Sequence, residues 1–390
     1  MQSHHLTKPY SIKSKYFSVE SVLEGCLLFT IFFPYLPGLL PADTQPWYLF
    51  FFILLFFVKS ISKNKKLGSL GFARNTTFSI IAFLIIGFIF SIFNQAILRE
   101  FPKIPRLISF LQFITAVIYG YRISVKEKIF LRIAIIYLVF TAVFFLTNGA
   151  IENLLVYRIV DGAELMSSGR GARTLSGEPT FFALTMFNIY IIRRLLYPVT
   201  TLSNWNYNLF RILIIANIFL SFSGYGVAIV GIIIIVEFPY VLVIAVGLIL
   251  FFLSDILIYL ETSSNRAIGI IRLIISGKGL ELLDFTRGYG YTFGLRFNSL
   301  LHNLERFTNS PILGGGFTTK NVGGGLVSFL AEVGIAFFSF LLIIVVKIFS
   351  GRFHFSFKIV LLFWIMIRFT SDSMGIPGVG IILGMLLASK

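Results

Sequence analysis

Arg170-Gly-Ala-Arg173-Thr-Leu-Ser176-Gly-Glu178-Pro179 gathers two guanidinium groups and a carboxylate where a helix should begin. A proline at a first helical position with a serine just upstream marks such a start. The unbonded N–H groups of a helix start, joined by the forks of Arg170 and Arg173, make a site for a phosphate-type anion. Glu178 is then either a general base beside that anion or the carboxylate that fixes one arginine.

A second basic region runs from Glu261 to Gly324 and carries seven Lys/Arg. Within it, Leu295 to Phe307 is amphipathic at helical spacing. Phe297, Leu300, Leu301, Leu304 and Phe307 form one stripe, and Arg296, Ser299, His302, Asn303 and Arg306 the opposing one. Such a helix can rest on a membrane surface and turn its polar side to a cavity. His302 is a second candidate base. Residues 309–325 then place two glycine triplets around Lys320, a composition that suits close backbone approach to an anion or a hinge. No Walker pattern accompanies them, so nucleotide hydrolysis is not expected. Arg368 and Asp372, four apart near the end of an apolar stretch, can pair or line a cavity. Arg266 and Arg272 read as interfacial anchors. The histidines at 4, 5, 302 and 354 and the scattered carboxylates show no ligand spacing, and neither a metal nor another cofactor is expected.

The elements that hold these residues are set by composition. Of 390 residues 57% are hydrophobic and only 13% charged, with mean hydropathy +0.89, too apolar a balance for a water-soluble fold. The fold class expected is all-α, a polytopic integral membrane protein forming one membrane domain over 1–390. The formal charge of +16 does not point to nucleic acid, because the aromatic residues lie inside apolar runs. Cys26 stands alone and reads as apolar filler. Residues 1–21 show no cleavage site, so the first span is expected to act as its own insertion signal.

A span needs about 20 apolar residues. Spans are expected near 22–41, 46–62, 76–98, 106–122, 129–147, 179–197, 209–223 and 325–347, together with two longer apolar stretches, 227–260 and 355–388. As one helix the 34 residues of 227–260 would reach about 51 Å at ~1.5 Å per residue, against a hydrocarbon core of about 30 Å. It would also set Glu237 near mid-bilayer, so a break at Glu237-Phe238-Pro239 is expected. The last stretch should split at Thr370 to Gly375. About 12 transmembrane helices follow, with both termini cytoplasmic and two enlarged extracytoplasmic loops, 148–178 and 260–324. This arrangement leaves 19 Lys/Arg in cytoplasmic segments and three in the short outer loops, as the positive-inside rule requires. Ten more fall in the two long outer loops, where that rule loses force and another reason for positive charge is needed.

The order of these features resembles the Wzy family of O-antigen and capsule repeat-unit polymerases, within the O-antigen polymerase/ligase superfamily. At residue level the resemblance is carried by R-T-L-S-G-E-P-T-F-F-A at 173–183, by R-F-N-S-L-L-H-N-L-E-R-F-T-N-S-P-I-L-G-G-G-F at 296–317, and by L-A-E-V-G-I at 330–335. It implies a metal-independent glycosyltransferase of the bacterial cytoplasmic (inner) membrane with a periplasmic active site. The implied reaction joins an undecaprenyl-pyrophosphate-linked glycan donor to a lipid-linked acceptor. Membrane lipids and a chain-length regulator are implied as further partners. Glu178 and His302 would be the candidate bases, and Arg170, Arg173, Arg296, Arg306, Lys320 and Arg368 would bind the pyrophosphate and substrate. Many relatives carry a histidine just after the glycine turn; here Thr318-Thr319-Lys320-Asn321 stands there, which leaves the base open between Glu178 and His302.

Two other readings share the architecture. A lipid-linked oligosaccharide flippase or exporter should place charged or broken segments near the midplane of several helices, often in paired halves. An O-antigen ligase differs in acceptor rather than in chemistry.

Overall fold

The computed structural model describes residues 18–38, 45–61, 75–97, 103–156, 171–176, 178–240, 290–317, 325–370 and 377–389, with 61, 75–78, 97, 152–153, 290–297 and 370 described in backbone only. Among the described residues the fold is all-helical. The helices are α1 (Val19–Phe32), α2 (Trp47–Ile61), α3 (Asn75–Ile97), α4 (Ile104–Gly120), α5 (Glu127–Thr147), α6 (Ala150–Leu155), α7 (Pro179–Leu196), α8 (Asn204–Leu220), α9 (Gly224–Glu237), α10 (Gly290–Asn309), α11 (Gly325–Val333), α12 (Ile335–Ser350), α13 (Phe355–Thr370) and α14 (Pro377–Ala388).

Two helices are long and apolar enough to cross a membrane, Ser79–Ala96 within α3 and Glu127–Thr147. Shorter apolar helices, among them Ile104–Gly120, Gly224–Glu237 and Ile335–Ser350, accompany them. Large apolar side chains stand exposed along them: Ile86, Phe90 and Phe93 on α3, and Phe338, Leu342, Val346 and Phe349 on α12. An apolar surface of this extent is stable in lipid and costly in water.

Several helices end where local chemistry ends them. The first, expected over 22–41, stops at Phe32, because Pro34 and Pro37 lack the N–H a helix needs and bias their predecessors to extended backbone. At Glu237 α9 ends and Phe238 caps it; residues 239–240 are helical again, and 241–289 lie outside the described residues. The stretch expected as one span over 325–347 is broken at Gly334, whose φ of 68° and ψ of −142° interrupt the ladder between α11 and α12. In the last stretch α13 is described to Thr370 and Pro377 opens α14, while residues 371–376, where most of the expected split falls, lie outside the described residues.

The most extensive helix pair is α4 with α14. Gly380 and Gly384 of α14 lie against Ala116, Val117 and Gly120 of α4, so the two chains run parallel in backbone contact. This small-xxx-small seam is the usual means of close helix approach when lipid supplies no hydrophobic drive. A Cβ on Gly380 would come within 2.6 Å of both the Ala116 Cβ and the Phe113 carbonyl. Gly380→Val is therefore expected to destabilise the protein by about 1–3 kcal/mol, the usual cost of overpacking, read as a lower midpoint in SDS-induced unfolding of the detergent-solubilised protein.

At one end of the bundle the charges are paired. Glu127, at the start of α5, binds Arg193 in the last turn of α7 and accepts from the Thr200 hydroxyl and the Thr201 N–H and hydroxyl. Glu237 accepts from Tyr190 (2.5 Å) and Arg211 (3.0 Å), with Arg194 at 3.5 Å. The Arg193 guanidinium lies 4.4 Å from the Tyr207 ring centre, and that of Arg211 lies 4.1 Å from the Phe238 ring centre. This is how a carboxylate ends an otherwise apolar run.

Candidate functional site

The opposite end of α7 is built from the segment that carries Arg173. All six residues 171–176 are buried, although the segment has no helix of its own. The Ala172 N–H donates to the Leu220 carbonyl at the end of α8 (3.0 Å), and the Ser176 N–H donates to the Arg173 carbonyl (3.0 Å). Thr174 adopts φ 47°, a left-handed conformation costly for a β-branched residue. Gly171 permits this close approach, since a Cβ there would meet the backbone of Leu220 and Ser221.

Arg173 is fully buried on this segment, as are Thr174 and Ser176 beside it. Among the described residues the Thr174 and Ser176 hydroxyls find no hydrogen-bond partner. A buried hydroxyl left in that state costs about 1–3 kcal/mol, so two on one short segment ask for a functional reason. Glu178 sits at the N-cap position of α7, half-buried, with extended backbone and no side-chain capping bond; its carbonyl accepts from Phe182 (2.9 Å). Pro179 opens the helix as the sequence leads one to expect.

Arg368, also fully buried, reaches α7 from α13. It donates to the Leu184 carbonyl (3.2 Å) and to Asn188 Oδ1 (2.9 Å). The Trp364 indole N–H, one turn earlier on α13, donates to the same oxygen (2.9 Å). Leu184 and Asn188 lie about 7.5 and 13.5 Å along α7 from Pro179 at ~1.5 Å per residue, so the first three turns of α7 serve both the Arg173 segment and Arg368. Asp372, expected to pair with Arg368 or to line a cavity with it, lies outside the described residues.

In α10 the stripes face opposite ways to those of a water-soluble amphipathic helix. Asn303 is fully buried and Ser299 nearly so, His302 and Arg306 are half-buried, while Leu301 and Leu304 stand exposed. The polar side therefore looks into the protein, as expected for a helix at a membrane surface. Arg306 donates from Nη2 to the Gly315 carbonyl (2.9 Å), which ties the helix to the glycine turn. The side chain of Arg296 is not described, and Arg170 and Lys320 lie outside the described residues.

The first glycine triplet does not cradle an anion, contrary to expectation. Its N–H groups are engaged within the chain: Gly314 with the Ser310 carbonyl, Gly315 with Ala331, Gly316 with Glu332, and the following Phe317 with Gln95 Oε1. Backbone packing explains the glycines instead. Gly314 (φ 73°) lies against the backbone of Glu332 and Val333, and Gly334 (φ 68°) lies against Pro311, Ile312 and Gly314. Gly314→Ala is expected to lower the unfolding midpoint measurably, because left-handed strain of about 1–2 kcal/mol adds to a clash with backbone that cannot turn aside.

Glu332, which sequence reasoning passed over, is fully buried beside this turn. Arg106 donates from Nε to one carboxylate oxygen (2.9 Å), and its Nη2 lies 2.8 Å from the same oxygen as an ion pair. Among the described residues no three His, Cys, Asp or Glu side chains group closely enough to hold a metal ion.

No family model matches the chain, and neither does any curated protein or solved structure.

Proposed function

We propose that this chain is a membrane glycosyltransferase that polymerises polyprenyl-pyrophosphate-linked oligosaccharide repeat units on the outer face of a bacterial cytoplasmic membrane. The carrying observation is the fully buried Arg173, between hydroxyls that no described residue satisfies, on the segment that feeds the first turn of α7. A guanidinium and two such hydroxyls at the start of a helix suit a phosphate-type anion. Exposed apolar side chains and two helices of spanning length support a membrane setting. In this reading about 12 spans leave both termini cytoplasmic, with the Glu127 and Glu237 clusters inside and the Arg173 segment outside.

In the proposed reaction an acceptor hydroxyl attacks the anomeric carbon of the donor's reducing-end sugar. The bond to the pyrophosphate breaks, and its electron pair leaves with the diphosphate. Arg173 and Arg368, joined by Arg170, Arg296 and Lys320, stabilise the charge that grows on that leaving group more than they stabilise the ground state. Arg306 contributes from the rim of the glycine turn it fixes. Glu178 at the mouth of α7, or His302 on the buried stripe of α10, takes the acceptor proton.

The test is the glycan ladder of a deletion strain rescued by wild type, Arg173→Ala or Arg296→Ala. Wild type is expected to restore long chains, and each variant only single repeat units although the protein is still inserted. Full-length polymer from both variants would reject the site. Inward-facing, untranslocated lipid intermediate accumulating in the deletion strain would instead make the chain a flippase.

A further inference from the structure

Asn188 lies in the middle of an apolar helix, 2% exposed, and two donors converge on its Oδ1: Trp364 Nε1 and Arg368 Nη2, each at 2.9 Å. Because both are obligate donors, the amide can only present its oxygen to them, so its orientation is fixed by chemistry. Its Nδ2 must then point the other way, toward Gly378 at the start of α14, where a Cβ would come within 3.0 Å. Nδ2 has no hydrogen-bond acceptor among the described residues. One amide therefore joins α7, α13 and α14, with Arg368 as its charged member.

We propose that Asn188 is the positioning residue of Arg368: its Oδ1, steadied by Trp364, sets the direction in which the guanidinium plane meets an oxyanion of the pyrophosphate donor. The proposal rests on the reading of the protein given above and adds the group that aims one of its arginines. A long side chain such as arginine loses substantial rotamer freedom when it is held, so a preset direction strengthens its grip on an anion. The choice of amide over carboxylate also has a physical reason. Aspartate has the same shape and would accept both hydrogen bonds, but its charge would oppose an incoming anion at close range.

That difference separates a positioning role from a merely structural one. Full-length protein in lipid nanodiscs, with Trp47→Phe and Trp205→Phe leaving Trp364 as the one indole, is titrated with farnesyl pyrophosphate and, as control, farnesol. The parent is expected to respond to the pyrophosphate and not to the alcohol, and the response should vanish in Arg368→Gln. Asn188→Asp is expected to unfold no earlier than the parent yet bind farnesyl pyrophosphate about tenfold or more weakly, since like charge at an interface is strongly disfavoured. Asn188→Leu should also bind weakly, and Asn188→Gln, which keeps the amide on a longer arm, should fall between. Parent-like affinity in Asn188→Asp would overturn the positioning role while leaving the proposed activity standing. A parent blind to the pyrophosphate, or a response that survives Arg368→Gln, would overturn the role of Arg368 itself, and the glycan ladder would then judge the activity separately.

Discussion

Glu127→Ala is expected to lower the free energy of unfolding by about 3–5 kcal/mol, the cost of leaving one member of a buried ion pair uncompensated. Arg193 is 1% exposed, so water cannot take the place of the lost carboxylate. Three further donors converge on Glu127, the Thr200 hydroxyl (3.0 Å) and the Thr201 N–H (2.6 Å) and hydroxyl (2.5 Å), and each would lose its acceptor. The connection between α7 and α8 would then come loose from α5. Glu127→Leu combined with Arg193→Met should recover most of the stability, since a well-packed apolar pair can replace a buried ion pair with little net loss. SDS-induced unfolding of detergent-solubilised protein measures both. A loss below about 1 kcal/mol for the single variant would mean that the pair behaves like a surface ion pair.

That cluster also shows what the sequence could and could not disclose. A break at Glu237 was legible, because one carboxylate inside 34 apolar residues cannot sit in a single long span. The identity of its partners was not, since Tyr190, Arg194 and Arg211 come from α7 and α8 and meet it only through packing. The helix period of 295–307 gave the two faces of α10, and the proline after Glu178 gave the start of α7. The interruption at Gly334 was hidden, because a glycine in an apolar run barely alters hydropathy; its cause is the backbone of residues 311–314, distant in sequence. The proline pair at 34 and 37 was readable, and the first span was nonetheless expected to run through it.

At the candidate site the same division holds. Arg173 stood out beside a helix start and Arg368 as a cation near the end of an apolar stretch, and the structure finds both fully buried. Their surroundings did not stand out. Asn188 is a lone amide within Pro179–Leu196, and only its meeting with Trp364 and Arg368, one helical turn apart on another helix, gives it a role. The glycine triplet misled for the opposite reason: glycines that admit a phosphate and glycines that admit another backbone look alike in a sequence.

Glu332→Ala is expected to remove about 3–5 kcal/mol of stability and, with it, most of the folded protein in the membrane. Glu332 is fully buried, and both the Nε and Nη2 atoms of Arg106 reach its Oε1. Its carbonyl meanwhile accepts from the Ser91 hydroxyl (2.5 Å) and from Gly316 (3.3 Å), so α3, α4, α11 and the glycine turn all meet at this residue. A buried carboxylate beside the glycine turn invites a role as the missing base. Its geometry argues for a structural hold instead, because Oε1 already accepts from Arg106 Nε at 2.9 Å. The double variant Arg106→Met with Glu332→Leu separates the two roles. If Glu332 only holds Arg106, the double variant should regain both membrane abundance and long glycan chains. If it recovers abundance and still yields single repeat units, Glu332 performs the proton transfer, and Glu178 and His302 lose that assignment.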